Sequence, residues 1–265
     1  MARVRYDLHT HTTFSDGYDW QEMAAAADRA GLSGIGFTDH CPVVPDEFGR
    51  RDRYDFAETY ERRREEFADA ALDIDVFDGA EINWVSPAAA EIADFLASAD
   101  FEYTIGSVHF TASYYTAHPS EDLQKADDEV KRAAIEEYVD WQIDLVESEL
   151  VDVLGHLDVT QRAGAYGELF ERADYERLAR ALATSRTVPE INAGRLDRDG
   201  SILHPRREAL EVFAEHGVPF VIGTDAHAPD QLERRIALLE EELDDLDVEI
   251  LDLPPALAGR VDQSH

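Results

Sequence analysis

Short apolar runs alternate along the chain with longer segments whose apolar residues recur at helical spacing. The apolar runs predict seven strands, at residues 4–8, 34–38, 74–82, 103–108, 151–154, 188–191 and 219–223. The segments between and after them predict helices near residues 20–30, 56–71, 88–97, 126–149, 174–184, 205–216 and 230–244. Such alternation is typical of parallel strands joined by right-handed crossovers, so the pattern predicts an α/β fold.

Polar residues at the carboxyl ends of these strands favour a closed barrel over an open sheet. In a parallel β/α barrel all carboxyl ends open on one face, where functional sites are built. Side chains two apart on a strand project to the same side, so a His-x-His or Asp-x-His pair can point both members at one centre. Six of the seven predicted strands end in such residues: His9, His11, His40, Glu81, His109, His156, Asp225 and His227.

The chemistry of this set points to bound metal ions. Neutral imidazole and carboxylate are common ligands of zinc, iron and manganese. With Asp16, from the loop after the first strand, the set comprises six histidines and three carboxylates. Nine protein groups exceed the four to six positions around one such ion. The sequence therefore predicts a cluster of two or three divalent ions in which a carboxylate bridges two of them.

Each motif alone has a plainer interpretation. A single His-x-His is more often a surface pair than a metal site, and Asp39 and Asp158 either orient the neighbouring histidines or cap turns. Glu81 is stronger evidence, because a carboxylate inside an apolar run is costly to bury without a cation or hydrogen-bond donors. The coincidence of ligand types at six strand ends is what predicts the site. His204 is left without an assignment.

The composition of the chain limits the kinds of partner that it can bind. The chain has 58 Asp and Glu against 24 Lys and Arg, a formal net charge of −34, so long nucleic acids and anionic membranes are poor partners. With 44% hydrophobic and 9% aromatic residues it is globular rather than a disordered acidic tail. Lys125 and Lys131 are its only lysines, and we interpret the excess acidity as adaptation to high salt, with an ordinary acidic cytosolic protein as the alternative.

The remaining features suggest one domain over residues 1–265 and a cytoplasmic location. The length suits a single β/α barrel. The single Cys41 excludes an internal disulfide and indicates a reducing compartment. We see no secretory signal segment and no run of about 18 apolar residues that would suggest a membrane span. The sequence does not indicate an oligomeric state.

Taken together, the motifs resemble those of the polymerase-and-histidinol-phosphatase (PHP) superfamily of metal-dependent phosphoesterases. They occur in the family's order and are His9-Thr10-His11, Asp16-Gly17, Thr38-Asp39-His40, Gly79-Ala80-Glu81, Gly106-Ser107-Val108-His109, Gly155-His156-Leu157-Asp158 and Gly223-Thr224-Asp225-Ala226-His227. Residues 106–110, 189–192 and 217–219 are most similar to the stand-alone histidinol-phosphatase branch. The resemblance implies a distorted (β/α)7 TIM-like barrel with its metal site at the C-terminal ends of the strands.

The resemblance also implies how the ligands are shared. One ion would be held by His9, His11, Glu81 and Asp225. Glu81 would bridge to a second ion held by His109 and His156, and the third would be held by Asp16, His40 and His227. No ligand position of the family pattern is missing.

The substrate contacts are less closely matched. Arg162 corresponds to an arginine that helps bind phosphate in the family, and Asn192 and Arg206 are further candidates for substrate binding. Ala193-Gly194-Arg195 and His204-Pro205-Arg206 depart from the pattern of the branch.

The resemblance implies metal-dependent hydrolysis of a small phosphate monoester, with histidinol phosphate cleaved to histidinol and phosphate, and with Glu81 and Arg162 in catalysis. A cluster of manganese, iron or zinc ions suits this reaction, because it lowers the pKa of bound water and neutralises phosphoryl oxygens. Two alternatives stay open: a PHP-type phosphodiesterase or exonuclease acting on nucleotides, and a non-catalytic metal-binding module.

Overall fold

The computed structural model describes residues 4–44, 56–68, 74–112, 116, 118–198, 200–244 and 246–259. Within them, the strands in chain order are β1 (Tyr6–Thr10), β2 (Gly34–Phe37), β3 (His40–Cys41), β4 (Asp75–Asn83), β5 (Tyr103–Ser107), β6 (Val153–Leu154), β7 (Val188–Arg195), β8 (Ile202–His204) and β9 (Val221–Gly223). The α-helices are α1 (Trp20–Arg29), α2 (Phe56–Ala68), α3 (Ala89–Ser98), α4 (Glu121–Lys125), α5 (Asp128–Ser148), α6 (Arg172–Leu182), α7 (Arg207–Glu215) and α8 (Pro229–Leu243).

Seven parallel strands close into a distorted barrel, which confirms the predicted fold class. They pair in the order β1, β2, β4, β5, β6, β7 and β9. β9 then leads back to β1 through a parallel bridge between Thr10 and Ala226. At this closure the Asp225 N–H donates to the His9 carbonyl at 2.7 Å, and the His11 N–H donates to the Ala226 carbonyl at 3.0 Å. The last strand therefore completes the barrel beside the first.

The structure differs from the sequence prediction where an element is short or capped locally. β3, which pairs with β4, and β8, which runs antiparallel to β7, are too short to stand out as apolar runs. The helix predicted over 126–149 corresponds to α5, which begins where the Asp127 side chain accepts from the Val130 N–H. The short helix α4, which ends before the extended Ala126, was not predicted. Residues Val159–Leu169 form a kinked 3₁₀ segment that was not predicted. Residues 69–71 of the second predicted helix lie outside the described residues.

The barrel interior is an apolar layer below the polar mouth. Six of the seven barrel strands contribute to one buried cluster, which also includes a residue from the C-terminal segment: Tyr6, Leu8, Phe77, Tyr103, Ile105, Val153, Val188, Val221 and Leu257. The Leu251 N–H donates to the Phe220 carbonyl just before β9, and Arg5, just before β1, pairs with Asp252 at 2.6 Å. The C-terminal segment therefore covers the amino-terminal end of the barrel.

A second and larger core lies between the barrel and the helices. Its fully buried members include Met23 of α1, Leu145 of α5, Leu178 of α6, Phe213 of α7 and Leu239 of α8. The apolar faces of these five helices explain the helical spacing seen in the sequence, because each of the five buries one stripe against the sheet.

β2 makes room for a large side chain inside the barrel. The Tyr103 hydroxyl donates to the Leu8 carbonyl at 2.6 Å. A Cβ placed on Gly36 would lie 1.9 Å from that hydroxyl oxygen, which no atom pair tolerates. Glycine at position 36 is therefore required by the tyrosine that packs over it.

We expect Gly36→Ala to lower the free energy of unfolding by about 1–3 kcal/mol through overpacking. Tyr103→Phe removes the clashing oxygen, so the double variant should lose less stability than the sum of the two single variants. Urea denaturation measures all three, with Gly259→Ala as control, because a Cβ there meets nothing within 4 Å. Strict additivity of the two losses would contradict the proposed contact.

Candidate metal centre

The nine predicted ligand residues lie together at the carboxyl ends of the barrel strands. His9 lies in β1 and His11 directly follows it, whereas His40 lies in β3 and Glu81 in β4. The others follow β5, β6 and β9 within four residues, except Asp16, which lies in the loop after β1: His109, His156, Asp225, His227 and Asp16. The short strand β3 places His40 beside Glu81, with which it is in register.

Glu81 is the centre of this cluster. Its side chain is fully buried, and its Oε1 lies 3.1 Å from His156 Nε2, 3.3 Å from His109 Nε2 and 3.6 Å from His9 Nε2. Its Oε2 lies 2.5 Å from His40 Nδ1. One carboxylate thus faces imidazoles from four different strands or strand ends, which is the geometry that a bridging ligand requires.

Three groups of potential ligand atoms have all their members within 4.8 Å of one another. They are His9, His11 and Asp225; His40, Glu81 and His109; and His11, Asp16, His40 and His227. In the last group, Asp16 Oδ1 lies 3.3 Å from His227 Nε2 and 3.7 Å from His40 Nε2.

These groups differ from the division implied by the resemblance in three ways. The group of His9, His11 and Asp225 lacks Glu81, His40 joins Glu81 and His109 where His156 was expected, and His11 is also grouped with Asp16, His40 and His227. His156 Nε2 and His9 Nε2 nevertheless lie 3.1 and 3.6 Å from Glu81 Oε1.

The donor atoms fit a divalent ion. Nε2 of His9 and Nε2 of His11 are buried and have no hydrogen-bond partner among the described residues. Burial, together with the neighbouring His227 and His40, lowers the pKa of His11 to about 4, so its imidazole is neutral. Burial opposes the charged form of Glu81, yet the surrounding imidazoles hold its pKa well below the usual range. The neutral imidazole of His11 and the ionised Glu81 carboxylate are the forms that bind metal. In spite of burial, Glu190 and Glu81 raise the pKa of His9, and Glu81 raises that of His40, so a bound ion would take the place of a proton on these rings.

The exposure of the side chains increases from the buried floor of the cluster to its open rim. The side chains of His9, His11 and Glu81 are fully buried. Those of Asp16 and His227 are 43% and 31% exposed. A ligand therefore reaches the centre from the side of the rim residues.

Glu190, on β7, is a site residue that the sequence analysis did not identify. Both of its carboxylate oxygens lie within hydrogen-bond distance of His9 Nδ1, at 3.0 and 2.9 Å. It also accepts from the His156 N–H at 2.8 Å and from the Asn192 amide at 2.9 Å. A carboxylate on Nδ1 fixes the tautomer that leaves the Nε2 lone pair free for a metal. The signal was present, since Glu190 interrupts an apolar run just as Glu81 does.

The loop that carries Asp16 is held by Asp39. The Asp39 carboxylate accepts from the Thr12 N–H at 2.7 Å, from the Ser15 hydroxyl at 2.6 Å and from the Arg63 guanidinium at 2.9 Å. Of the two interpretations left open by the sequence, the contacts of Asp39 match the capping of a loop.

The loop after β9 is held from below by Arg235. Asp225 has a positive φ of 54°, a conformation that costs free energy for a residue with a side chain. Arg235, which is 2% exposed, donates to the carbonyls of Thr224 and Asp225 at 3.0 and 2.7 Å. These charge-assisted bonds stabilise the conformation that points Asp225 at the site.

The three candidate substrate contacts are placed differently from one another. Arg162 lies at the mouth, with its Nη2 3.5 Å from Asp225 Oδ2. Asn192 is engaged inside the protein, because its amide donates to Glu190 and its carbonyl accepts from the Gly194 N–H at 2.8 Å. Arg206 lines two pockets, neither of which includes any of the nine predicted ligands.

Comparison with known proteins agrees with the fold and the residue pattern. The family profile described as PHP domain matches residues 7–194. A protein named "Probable histidinol-phosphatase" from Deinococcus radiodurans is 26% identical over 248 residues, covering 91% of this chain and 93% of that protein. A histidinol-phosphatase from Lactococcus lactis is 28% identical over 236 residues, covering 86% of this chain and 85% of that protein.

A solved structure is also similar. The histidinol phosphate phosphatase of Lactococcus lactis, crystallised with zinc, L-histidinol and phosphate, superposes with a TM-score of 0.74 at 22% identity, covering 94% of this chain and 96% of that one. At this identity the likeness establishes the barrel fold. In the part of this chain that the structure describes, no helix has the length and apolar character needed to cross a membrane.

We expect Glu190→Gln to weaken binding of manganese or zinc about 10–100-fold, because the variant loses the charge that orients His9. Chelator competition on the folded protein measures the affinity. Glu147→Gln, at an exposed position on α5, is the matched control and should bind metal normally. Unchanged affinity in Glu190→Gln would show that Glu190 does not support the site.

Proposed function

This chain belongs to the PHP domain family and is a metal-dependent phosphatase, and from that premise we propose that it hydrolyses histidinol phosphate to histidinol and phosphate. The observation that supports this most directly is the buried Glu81 carboxylate, surrounded by imidazoles at the open end of the barrel. The relatives named histidinol-phosphatases support the choice of substrate.

We assign two or three divalent ions, of manganese, iron or zinc, to the three ligand groups. Glu81, which lies beside both His9 and His156, would contribute to the inner positions, and Asp16, His40 and His227 would hold the outer one. When bound, such ions supply an activated water and neutralise the oxygens of a phosphate ester.

We assign binding of the substrate's phosphate group to Arg162. It reaches the mouth beside Asp225 and is 16% exposed, so its guanidinium is both held and accessible. A guanidinium matches two phosphate oxygens at once, and this interaction strengthens as negative charge develops on them.

Gly194 supports that geometry. A Cβ there would lie 2.6 Å from Asp225 Oδ2 and 3.1 Å from Arg162 Nη2, so a larger residue would crowd the arginine. We infer that Asn192, which binds the Gly194 N–H, supports this end of β7 and does not bind substrate. Arg206 keeps only an indirect role, because the pockets that it lines include none of the nine predicted ligands.

The charge of the protein fits a small ester. Of the acidic residues, Asp16, Glu81 and Asp225 point into the cluster, where bound cations would be the largest local charges. A long polyanion would have to lie across the acidic outer surface, whereas a small phosphate ester needs only the mouth.

A substrate panel tests the proposal. The manganese-loaded protein is assayed at high salt with histidinol phosphate, nucleoside monophosphates and bis-(p-nitrophenyl) phosphate. We expect the highest kcat/KM for histidinol phosphate. Faster cleavage of the diester would instead identify a phosphodiesterase, and no phosphate release from any monoester by metal-loaded protein would reject the phosphatase.

We expect Glu81→Gln to lower kcat by about 100-fold or more and to weaken metal binding, since the amide lacks the charge that two ions share. Phosphate release and metal content per chain are measured together, with Glu147→Gln as the control. Full turnover with full metal content in Glu81→Gln would exclude the bridging role.

A further inference from the structure

A buried chain of three side chains runs to the mouth of the site behind Arg162. The Asp158 Oδ1 lies 2.6 Å from His204 Nδ1, and the Arg162 Nε–H donates to His204 Nε2 at 3.1 Å. Asp158 and His204 are fully buried. The metal-centre assignment uses neither residue, and the sequence analysis left His204 without a role.

The strand pairing explains how His204 reaches this position. His204 ends the short strand β8, which returns antiparallel to β7 and pairs His204 with Asn192. Since β7 also carries Glu190, the imidazole is placed beside the same strand that supports the metal ligands.

The hydrogen bonds determine which ring nitrogen carries the proton. An arginine Nε always carries hydrogen, so His204 Nε2 must accept and Nδ1 must be the donor to Asp158. Burial, with the nearby Arg162 charge, lowers the pKa of His204 in spite of Asp158. A neutral imidazole of this tautomer satisfies both neighbours.

Asp158 is itself fixed on its other side. Its Oδ2 accepts from the Tyr175 hydroxyl at 2.9 Å and from the Arg206 N–H at 3.0 Å. Tyr175 lies on α6 and Arg206 directly precedes α7, so two helices hold the carboxylate in place.

We propose that His204 is a positioning residue for the phosphate-binding arginine. By accepting from Nε of Arg162 it fixes the plane of the guanidinium and leaves the terminal nitrogens for Asp225 and a phosphate ester. The inference rests on the proposed function, in which Arg162 binds phosphate. Strand β8, which contributes no residue to the three ligand groups, would thus help to determine phosphate binding.

Two substitutions separate this role from a packing role. His204→Gln places an amide oxygen near the position of Nε2 and keeps an acceptor for Arg162. His204→Asn places an amide near the position of Nδ1 and keeps the donor to Asp158, but the acceptor for Arg162 is lost. Both variants remove the ring, so packing alone would affect them similarly.

The readouts are the affinity of the manganese-loaded protein for inorganic phosphate, by titration calorimetry, and kcat and KM for p-nitrophenyl phosphate. We expect His204→Asn to weaken phosphate binding and raise KM about tenfold with little change in kcat, as loss of a hydrogen bond to a charged group predicts. His204→Gln should stay within about threefold of wild type on both measures, because its acceptor bond is kept. In an Arg162→Ala background, His204→Asn should add nothing.

Equal losses in both variants, or a further loss in the Arg162→Ala background, would overturn the proposal. If His204→Asn does not fold, Arg162→Lys takes its place, because lysine keeps the charge but lacks the Nε donor. It should show the same loss of phosphate affinity, and wild-type affinity would overturn the proposal. If the wild-type protein binds phosphate but cleaves no monoester, the proposed function is rejected. The phosphate affinities of His204→Gln and His204→Asn would still test the role of His204.

Discussion

The free-energy cost of burying a carboxylate at the end of the barrel must be offset by the residues around it, and the rest of the site depends on this requirement. Glu81 lies on β4 with no exposed side-chain surface, and an isolated charge there would be strongly unfavourable. Its compensation comes from imidazoles at the ends of neighbouring strands, which only a closed parallel barrel brings to one point. The barrel closure between β9 and β1 is therefore a requirement of the site as well as of the fold, since it brings Asp225 alongside His9.

Further buried ionic residues at this end of the barrel hydrogen-bond to the predicted ligands or to the loops that carry them. Glu190 supports His9, Asp39 supports the loop of Asp16, and Arg235 supports Asp225. Each supporting group comes from a different element of the fold from the one it supports, so distortion in one element is resisted by another. The predicted metal ligands are thus held in place by neighbouring side chains, as the binding of ions with defined geometry demands.

The sequence predicted the barrel and the nine clustered positions because both depend on periodicity and on where strands end. It did not predict the role of Glu190, although the same signal as for Glu81 was there, because one acidic residue in an apolar run does not reveal its partner. The role of His204 could not be predicted for a different reason. β8 has only three residues, so the antiparallel strand that places His204 beside Arg162 produces no recognisable pattern of apolar residues in the sequence. The grouping of His40 with Glu81 and His109 depends on side-chain rotamers, which spacing does not determine.

The covering of the barrel's amino-terminal end by the C-terminal segment bears on how the protein is made. On the ribosome, β1 is synthesised long before its partner β9 and the covering Leu257, which come only after residue 220. Until then one edge of the sheet is open and the apolar interior lacks its base. His9 and His11 are likewise synthesised long before Asp225 and His227, so the nascent chain has all nine predicted metal ligands only after His227 has been added.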